Sequence, residues 1–140
     1  MYQELTQAWE ELIASGSQFE LEEVMVQGQR VLSYKNQVPS LREFWLASER
    51  FGDNDYLVYE EDRMTYREAH RHVASVANWF ITQGVTTGDR VAIAMRNYPE
   101  WMLTYWACAS IGVTCVGMNA WWATPELAYA IEDATPKVII

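Results

Sequence analysis

Catalysis needs nucleophiles, bases, metal ligands or phosphate cradles at defined spacings, and this chain offers few of them. His70 and His72 stand two apart in a stretch with helical periodicity. Side chains at i and i+2 point to different faces, so this pair does not share a metal. Arg67, Glu68 and Arg71 around them read as a solvated face. Cys108 and Cys115 are seven apart in a strongly apolar run, a spacing that suits neither a CxxC redox pair nor a zinc knuckle. They read as buried free thiols of a reducing compartment. Lys35 and Lys137 are the two lysines, and neither follows a glycine-rich turn. The phosphate loops GxxxxGK[ST] and GxGxxG and the nucleophile elbow GxSxG are all absent.

Two polar-aromatic clusters remain, Arg96-Asn97 and Asn119-Ala120-Trp121-Trp122. Each directly follows an apolar run with strand character, and open parallel sheets bind ligands beyond the carboxyl ends of their strands. The tryptophan pair could line an acyl or aryl pocket, but indoles packed under a neighbouring subdomain or capping a helix start are the favoured reading, because aromatics are mostly packing groups. Asn97 and Asn119 are more often turn and cap residues than ligands. No catalytic, cofactor-binding or metal-binding residue is assigned.

The elements that position these clusters are readable from periodicity and end signals. Residues 2–14 form an amphipathic helix with Leu5, Ala8, Trp9 and Leu12 on one side, ended by Ser15-Gly16-Ser17. Residues 19–35 read as a loose hairpin around Gln27-Gly28-Gln29. Ser40-Leu41-Arg42-Glu43 is a capping-box pattern that predicts a helix to about Arg50. A short strand at 56–59 and a polar turn at 60–63 follow. Thr65-Tyr66-Arg67-Glu68 is a second capping box, and its helix carries Tyr66, Ala69, Val73, Val76, Ala77 and Phe80 on one face before Gly84 stops it.

From residue 85 strands and helices alternate. A strand at 91–95 is followed by a helix from Pro99 to Ile111, Gly112, a strand at 113–118, a helix from Thr124 to Asp133 and a strand at 137–140. Short connections between such elements predict α/β architecture, a parallel βαβαβ sheet with helices on its faces, preceded by a helical and hairpin extension. Val138-Ile139-Ile140 starts a buried strand without a following turn or polar end, so the chain reads as truncated within a sheet.

Composition narrows the partners. The net charge of −9 lies entirely in residues 1–62, with 13 acids and 4 bases, whereas residues 63–140 hold 6 of each. The acidic half is expected to be a solvated cap and the neutral half to hold the core. Nucleic acid and anionic membrane surfaces are excluded, because both need clustered Lys and Arg. Residues 101–125 carry no formal charge and are long enough to span a bilayer. Gly112, the β-branched run after it and the lack of flanking basic clusters make them a helix and a buried strand instead. The acidic start MYQELTQAWEEL is no secretory signal, and the expected setting is cytoplasmic.

The motifs together resemble a family. Met64-Thr65-Tyr66-Arg67-Glu68 is similar to the aromatic-Thr-Tyr-x-Glu segment of AMP-forming acyl-CoA synthetases, the adenylate-forming superfamily of acyl-CoA ligases, luciferases and adenylation domains, with Met64 in place of the aromatic. The likeness continues through Gly88-Asp89-Arg90-Val91-Ala92-Ile93, Asn97-Tyr98-Pro99-Glu100-Trp101, residues 107–119 (ACASIGVTCVGMN), Glu126-Leu127, Asp133 and Lys137-Val138-Ile139-Ile140. It implies that residues 40–140 are the N-terminal α/β subdomain of an AMP-binding domain, truncated at its C-terminus, and residues 1–39 an acidic extension.

For the full-length family the resemblance implies ATP, magnesium and coenzyme A, a carboxylic acid substrate, adenylation with release of pyrophosphate, and transfer of the acyl group to the thiol. The family's phosphate loop, nucleotide contacts and mobile-domain lysine have no counterpart here, so the chain by itself is expected to be inactive and its partner to be the remainder of the synthetase. The alternative is a stand-alone binding or regulatory protein that pairs its open sheet edge with another chain. A flavodoxin-like or receiver module fits less well, because Arg96-Asn97-Tyr98 replaces the acidic or glycine-rich loop expected after the first parallel strand.

Overall fold

The computed structural model describes residues 2–140 and divides into two compact units, Met1–Pro39 and Ser40–Ile140. In the first unit, helix α1 (Tyr2–Ile13) buries none of its residues, and Leu5, Trp9 and Leu12 stay exposed along one face. Strands β1 (Leu21–Val26) and β2 (Gln29–Tyr34) pair antiparallel, Leu21 opposite Tyr34 and Val26 opposite Gln29. The linking turn places Gln27 at φ +50° and Gly28 at φ +81°, the two left-handed residues of a tight hairpin whose twist matches its strands. Glu20 ties the unit together, accepting from the Gly16 amide at 2.9 Å and pairing with Lys35 at 2.8 Å.

The second unit begins with α2 (Leu41–Ala47), where the Ser40 hydroxyl accepts the Glu43 amide at 3.1 Å. Helical character was expected to reach about Arg50 and runs to Phe51, the α-helix passing into a 3₁₀ turn over Ser48–Phe51, where the Ser48 hydroxyl donates to the Trp45 carbonyl at 2.6 Å. Strands β3 (Asp55–Tyr59) and β4 (Asp62–Thr65) form an antiparallel hairpin. The polar turn expected over 60–63 shrinks to Glu60-Glu61, and Asp62 and Arg63 are strand residues whose exposure hides them from a hydrophobicity pattern. The Thr65 box closes both ways at the start of α3 (Tyr66–Thr82), and Ala69, Val73, Ala77 and Phe80 form its buried stripe.

Three strands make the parallel sheet, in the order β6-β5-β7: β5 (Arg90–Ile93), β6 (Thr114–Gly117) and β7 (Val138–Ile139). Val91 lies opposite Cys115 on one side and Val138 on the other. Between them run α4 (Pro99–Ile111) and α5 (Thr124–Ala134). Because β5 to β6 and β6 to β7 step in opposite directions, right-handed crossovers put α4 and α5 on opposite faces. Helix α4 packs against α2 and α3 as well as the sheet, which is why it is apolar almost all round. The half-buried Leu127, Ala130, Ile131 and Ala134 form the packing stripe of α5.

The core runs through residues 69–118, with Val91, Ala92, Ile93 and Phe80 fully buried. Among the described residues, Trp45 is the one buried residue contributed by the acidic half. Its indole lies between His70 at 4.1 Å and Trp106 at 5.0 Å, and Trp106 Nε1 donates to the Tyr56 hydroxyl at 2.5 Å. The amino-terminal end of the sheet is pinned by two cations. Lys137 Nζ reaches the Gly84 carbonyl and Asp89 Oδ2, the latter at 3.0 Å. Arg90 reaches the Ala134 carbonyl and, at 2.6 Å, the Thr135 hydroxyl.

Candidate functional site

At the opposite end of the sheet the β5–α4 and β6–α5 loops face each other across a crevice of about 640 Å³. Each wall has a local cause. Met118 N bonds Ile93 O at 2.9 Å, which carries the parallel ladder one residue past β6. Asn119 Oδ1 then accepts the Trp121 amide at 2.9 Å, the turn chemistry of asparagine. Ala123 N donates to Glu126 Oε2 at 2.8 Å, so α5 starts with its first free amide satisfied. On the other wall Pro99 occupies the first turn of α4, where a missing N–H costs nothing, and Tyr98 N bonds Arg96 O at 2.7 Å.

This geometry brings Arg96 over Trp121, the guanidinium carbon 4.1 Å from the indole centroid. Trp121 is otherwise 73% exposed. No carboxylate lies within ion-pair distance of Arg96 among the described residues. Asn97, Trp101, Gly117 and Asn119 complete the polar and aromatic lining, with Met95 and Met118 as apolar filler. A Cβ on Gly117 would stand 3.5 Å from the Trp101 ring, so the glycine keeps this wall clear of side chains. Beside the crevice, a smaller apolar cavity of about 260 Å³ opens between β3 and the start of α4, lined by Leu57, Tyr59, Tyr98 and Met102 among others.

Arg96-Asn97 and Asn119–Trp121, marked by their position after strands, are therefore brought together, while Trp122 lies outside the crevice lining. Trp101 and Gly117 belong to the same wall and were not singled out. Their signal lay inside motifs that read as a helix start and a strand end.

The other chemically suggestive groups lie elsewhere. His70 Nε2 is 3.0 Å from Ser48 Oγ, but that hydroxyl spends its proton on the Trp45 carbonyl, so the histidine donates and cannot act as its base. Burial lowers the His70 pKa, while His72 is exposed. The Cys108 thiol is held protonated by a hydrogen bond with Cys115 and by burial, and the same bond lowers the Cys115 pKa. Cys108 is buried as expected, whereas Cys115 is half-buried. No cluster of three metal-ligating side chains occurs among the described residues, and none of their helices is long and apolar enough to cross a membrane.

The crevice does not fit a magnesium nucleotide. Among the described residues, Arg96 is the one cation of its lining, and Lys137 is committed at the far end of the sheet. A triphosphate needs several cationic or backbone donors at one place.

An open parallel sheet with helices on its faces and a polar-aromatic crevice at its carboxyl ends defines an α/β module. Residues 44–140 match the family model described as AMP-binding enzyme, and the chain belongs to that family. A feruloyl-CoA synthase of Amycolatopsis sp is 39% identical over 77 residues, 55% of this chain and 16% of that protein. The medium-chain fatty-acid–CoA ligase of Escherichia coli K12 is 29% identical over 101 residues, 71% of this chain and 18% of that protein. The chain thus spans about a sixth to a fifth of the length of the curated relatives it matches. The N-terminal subdomain of Klebsiella oxytoca NpsA, solved in complex with anthranilyl-AMSN, superposes with a TM-score of 0.69 over 74% of this chain and 27% of that one. At 23% identity that likeness shows the fold.

Proposed function

We propose that this chain is the N-terminal part of an ATP-dependent acyl-CoA synthetase. The observation that carries the reading is the AMP-binding match over residues 44–140, on a parallel α/β module, in a chain whose relatives are CoA ligases. In such an enzyme a carboxylate attacks the α-phosphate of ATP, pyrophosphate leaves, and the acyl group of the adenylate then passes to the thiol of coenzyme A. Residues 40–140 serve as the N-terminal α/β subdomain and residues 1–39 as an acidic extension.

The role of these residues is architectural. None is assigned to catalysis, and ATP, magnesium and coenzyme A belong with segments outside this stretch. Strands β6 and β7, the two edges of the sheet, offer their free backbone groups to the remainder of the synthetase. The setting is the cytoplasm.

Two measurements test this. The intact mass of the native protein should exceed 16.2 kDa several-fold, and a folded, monodisperse species at 16.2 kDa would sink the reading in favour of a stand-alone binding protein. Carboxylate-dependent exchange of pyrophosphate into ATP should be absent from the 140-residue chain. Exchange above background would show that the chemistry is not confined to missing segments.

A further inference from the structure

We infer that the outer edge of β2 is a self-pairing surface, at which a second copy of the chain adds its own β2 antiparallel and makes one four-stranded sheet from two hairpins. The surface lies within the first unit and owes nothing to the chemistry proposed for the second.

The first unit has no core to hold it. None of its described residues is buried, and its sheet consists of two strands. An isolated two-stranded hairpin is marginal in water, and stability comes with further strands and a shared apolar face. The register identifies the open edge. Lys35 N donates to Glu20 O at 2.9 Å, one position beyond the Leu21 and Tyr34 pair. Antiparallel pairs alternate between those that exchange backbone bonds and those that do not. Ser33, Val31 and Gln29 therefore turn their backbone groups towards β1, and Tyr34, Leu32 and Arg30 turn theirs outward. Among the described residues, no backbone bond from outside the hairpin reaches these three.

The outward positions fit their own copy. A two-fold axis through Leu32 sets it opposite the copy's Leu32, and sets Arg30 and Tyr34 opposite the copy's Tyr34 and Arg30. Each opposed pair exchanges two backbone bonds, so every outward donor and acceptor of the strand is satisfied. The side chains agree with that register. Leu32 is 68% exposed, and the seam covers it with its own copy. Arg30 comes beside the copy's Tyr34 ring, an attractive cross-strand pair, while Glu23 at 3.3 Å already balances its charge. On the other face Val31 meets Ser33 and Gln29 meets Lys35, so no like charges oppose each other. The edge of β1 has no such fit. Pairing it with its copy would gather Glu22 and Glu23 of both chains along one seam, the kind of edge charge that prevents pairing.

The experiment is sedimentation equilibrium of the full chain. A single short seam buries less than a permanent dimer needs, so the concentration series should run from about 1 µM to 1 mM. The native mass should rise to twice the chain mass within that range. Leu32→Pro removes an outward N–H that the hairpin does not use, a position where edge strands tolerate proline. It should weaken association roughly tenfold or more. Leu32→Cys should give a disulfide-linked dimer on oxidation by air, because Cα atoms of a hydrogen-bonded pair lie about 5.5 Å apart, within reach of that bond. Val26→Cys, exposed at the far end of β1, should give no more linked dimer than the unsubstituted chain with its half-buried Cys115.

A native mass equal to the chain mass throughout the series overturns the self-pairing. Association undiminished by Leu32→Pro, or cross-linking at Val26 as readily as at Leu32, overturns β2 as the seam. If Leu32→Pro unfolds the hairpin, Leu32→Cys still reads the register, since it removes no backbone group. Mass spectrometry of the denatured protein gives the length of the chain and sedimentation the number of copies, so failure here is distinguishable from failure of the synthetase reading.

Discussion

Gly112→Ala is the perturbation for which the structure separates two costs. Gly112 ends α4 at φ +70°, in the left-handed region, and its amide bonds the Cys108 carbonyl. A non-glycine residue there loses about 1 to 2 kcal/mol from the backbone alone. The new Cβ would also stand 3.0 Å from Thr87 Cγ2, closer than carbon atoms sit without something shifting. Overpacking of this kind adds about 1 kcal/mol or more. Together they give a loss of about 2 to 3 kcal/mol, a large fraction of the roughly 5 to 15 kcal/mol that stabilises a typical domain. Thr87→Ser removes Cγ2 while keeping the 3.1 Å hydrogen bond from Oγ1 to the Ile111 carbonyl. In that background Gly112→Ala should cost only the backbone part. The assay is urea unfolding followed by tryptophan fluorescence, which reports the second unit because six of the seven indoles lie in residues 40–140. A loss below about 0.5 kcal/mol for Gly112→Ala would refute the argument, being the size of an ordinary surface substitution. An undiminished loss in the Thr87→Ser background would refute the assignment to Cγ2.

Thr65→Ala removes one half of the α3 capping box and should cost about 1 kcal/mol in the same unfolding assay, with Glu68→Gln milder because it keeps an acceptor. Asp89 is held at about 2 by the Thr86 amide and Lys137, so it binds its proton less readily folded than unfolded. Its stabilisation should be complete above its ordinary 3.8 and fade as pH falls towards 2, and Asp89→Asn should remove that slope from acid-unfolding curves. Burial against Trp45 lowers the pKa of His70, so its neutral form favours the fold and stability should fall as pH drops below its ordinary 6.5. A proton-NMR titration should find His70 below that value, and His70→Gln should flatten the stability profile in that range.

The fold was legible because its signals are local. Pro99, Gly112 and the capping box at Thr65 each mark an element end by a mechanism confined to a few residues, and the observed ends of α4 coincide with them. Misplacements occur where polarity carries no period. Asp62 and Arg63 are charged, exposed and still in a strand. Site residues were legible only as positions at the ends of strands. The Arg96–Trp121 contact joins residues 25 apart, and nothing in either loop announces its partner. Trp101 was read as part of a helix start, yet its ring borders both Gly117 and the crevice.

The strand order has a consequence in time as well as space. The central strand β5 is the first of its sheet to be synthesised, yet its second neighbour, Val138 opposite Val91, is made 47 residues later. At roughly 5 to 20 residues per second the wait is about 2 to 9 s. Throughout that interval Val91-Ala92-Ile93, which end up fully buried, have at most one side paired. During synthesis the nascent chain therefore passes through a window in which the most deeply buried strand of this sheet is a template for wrong partners. Any slowing of translation between Ala94 and Lys137 lengthens that exposure without altering a single contact of the finished molecule.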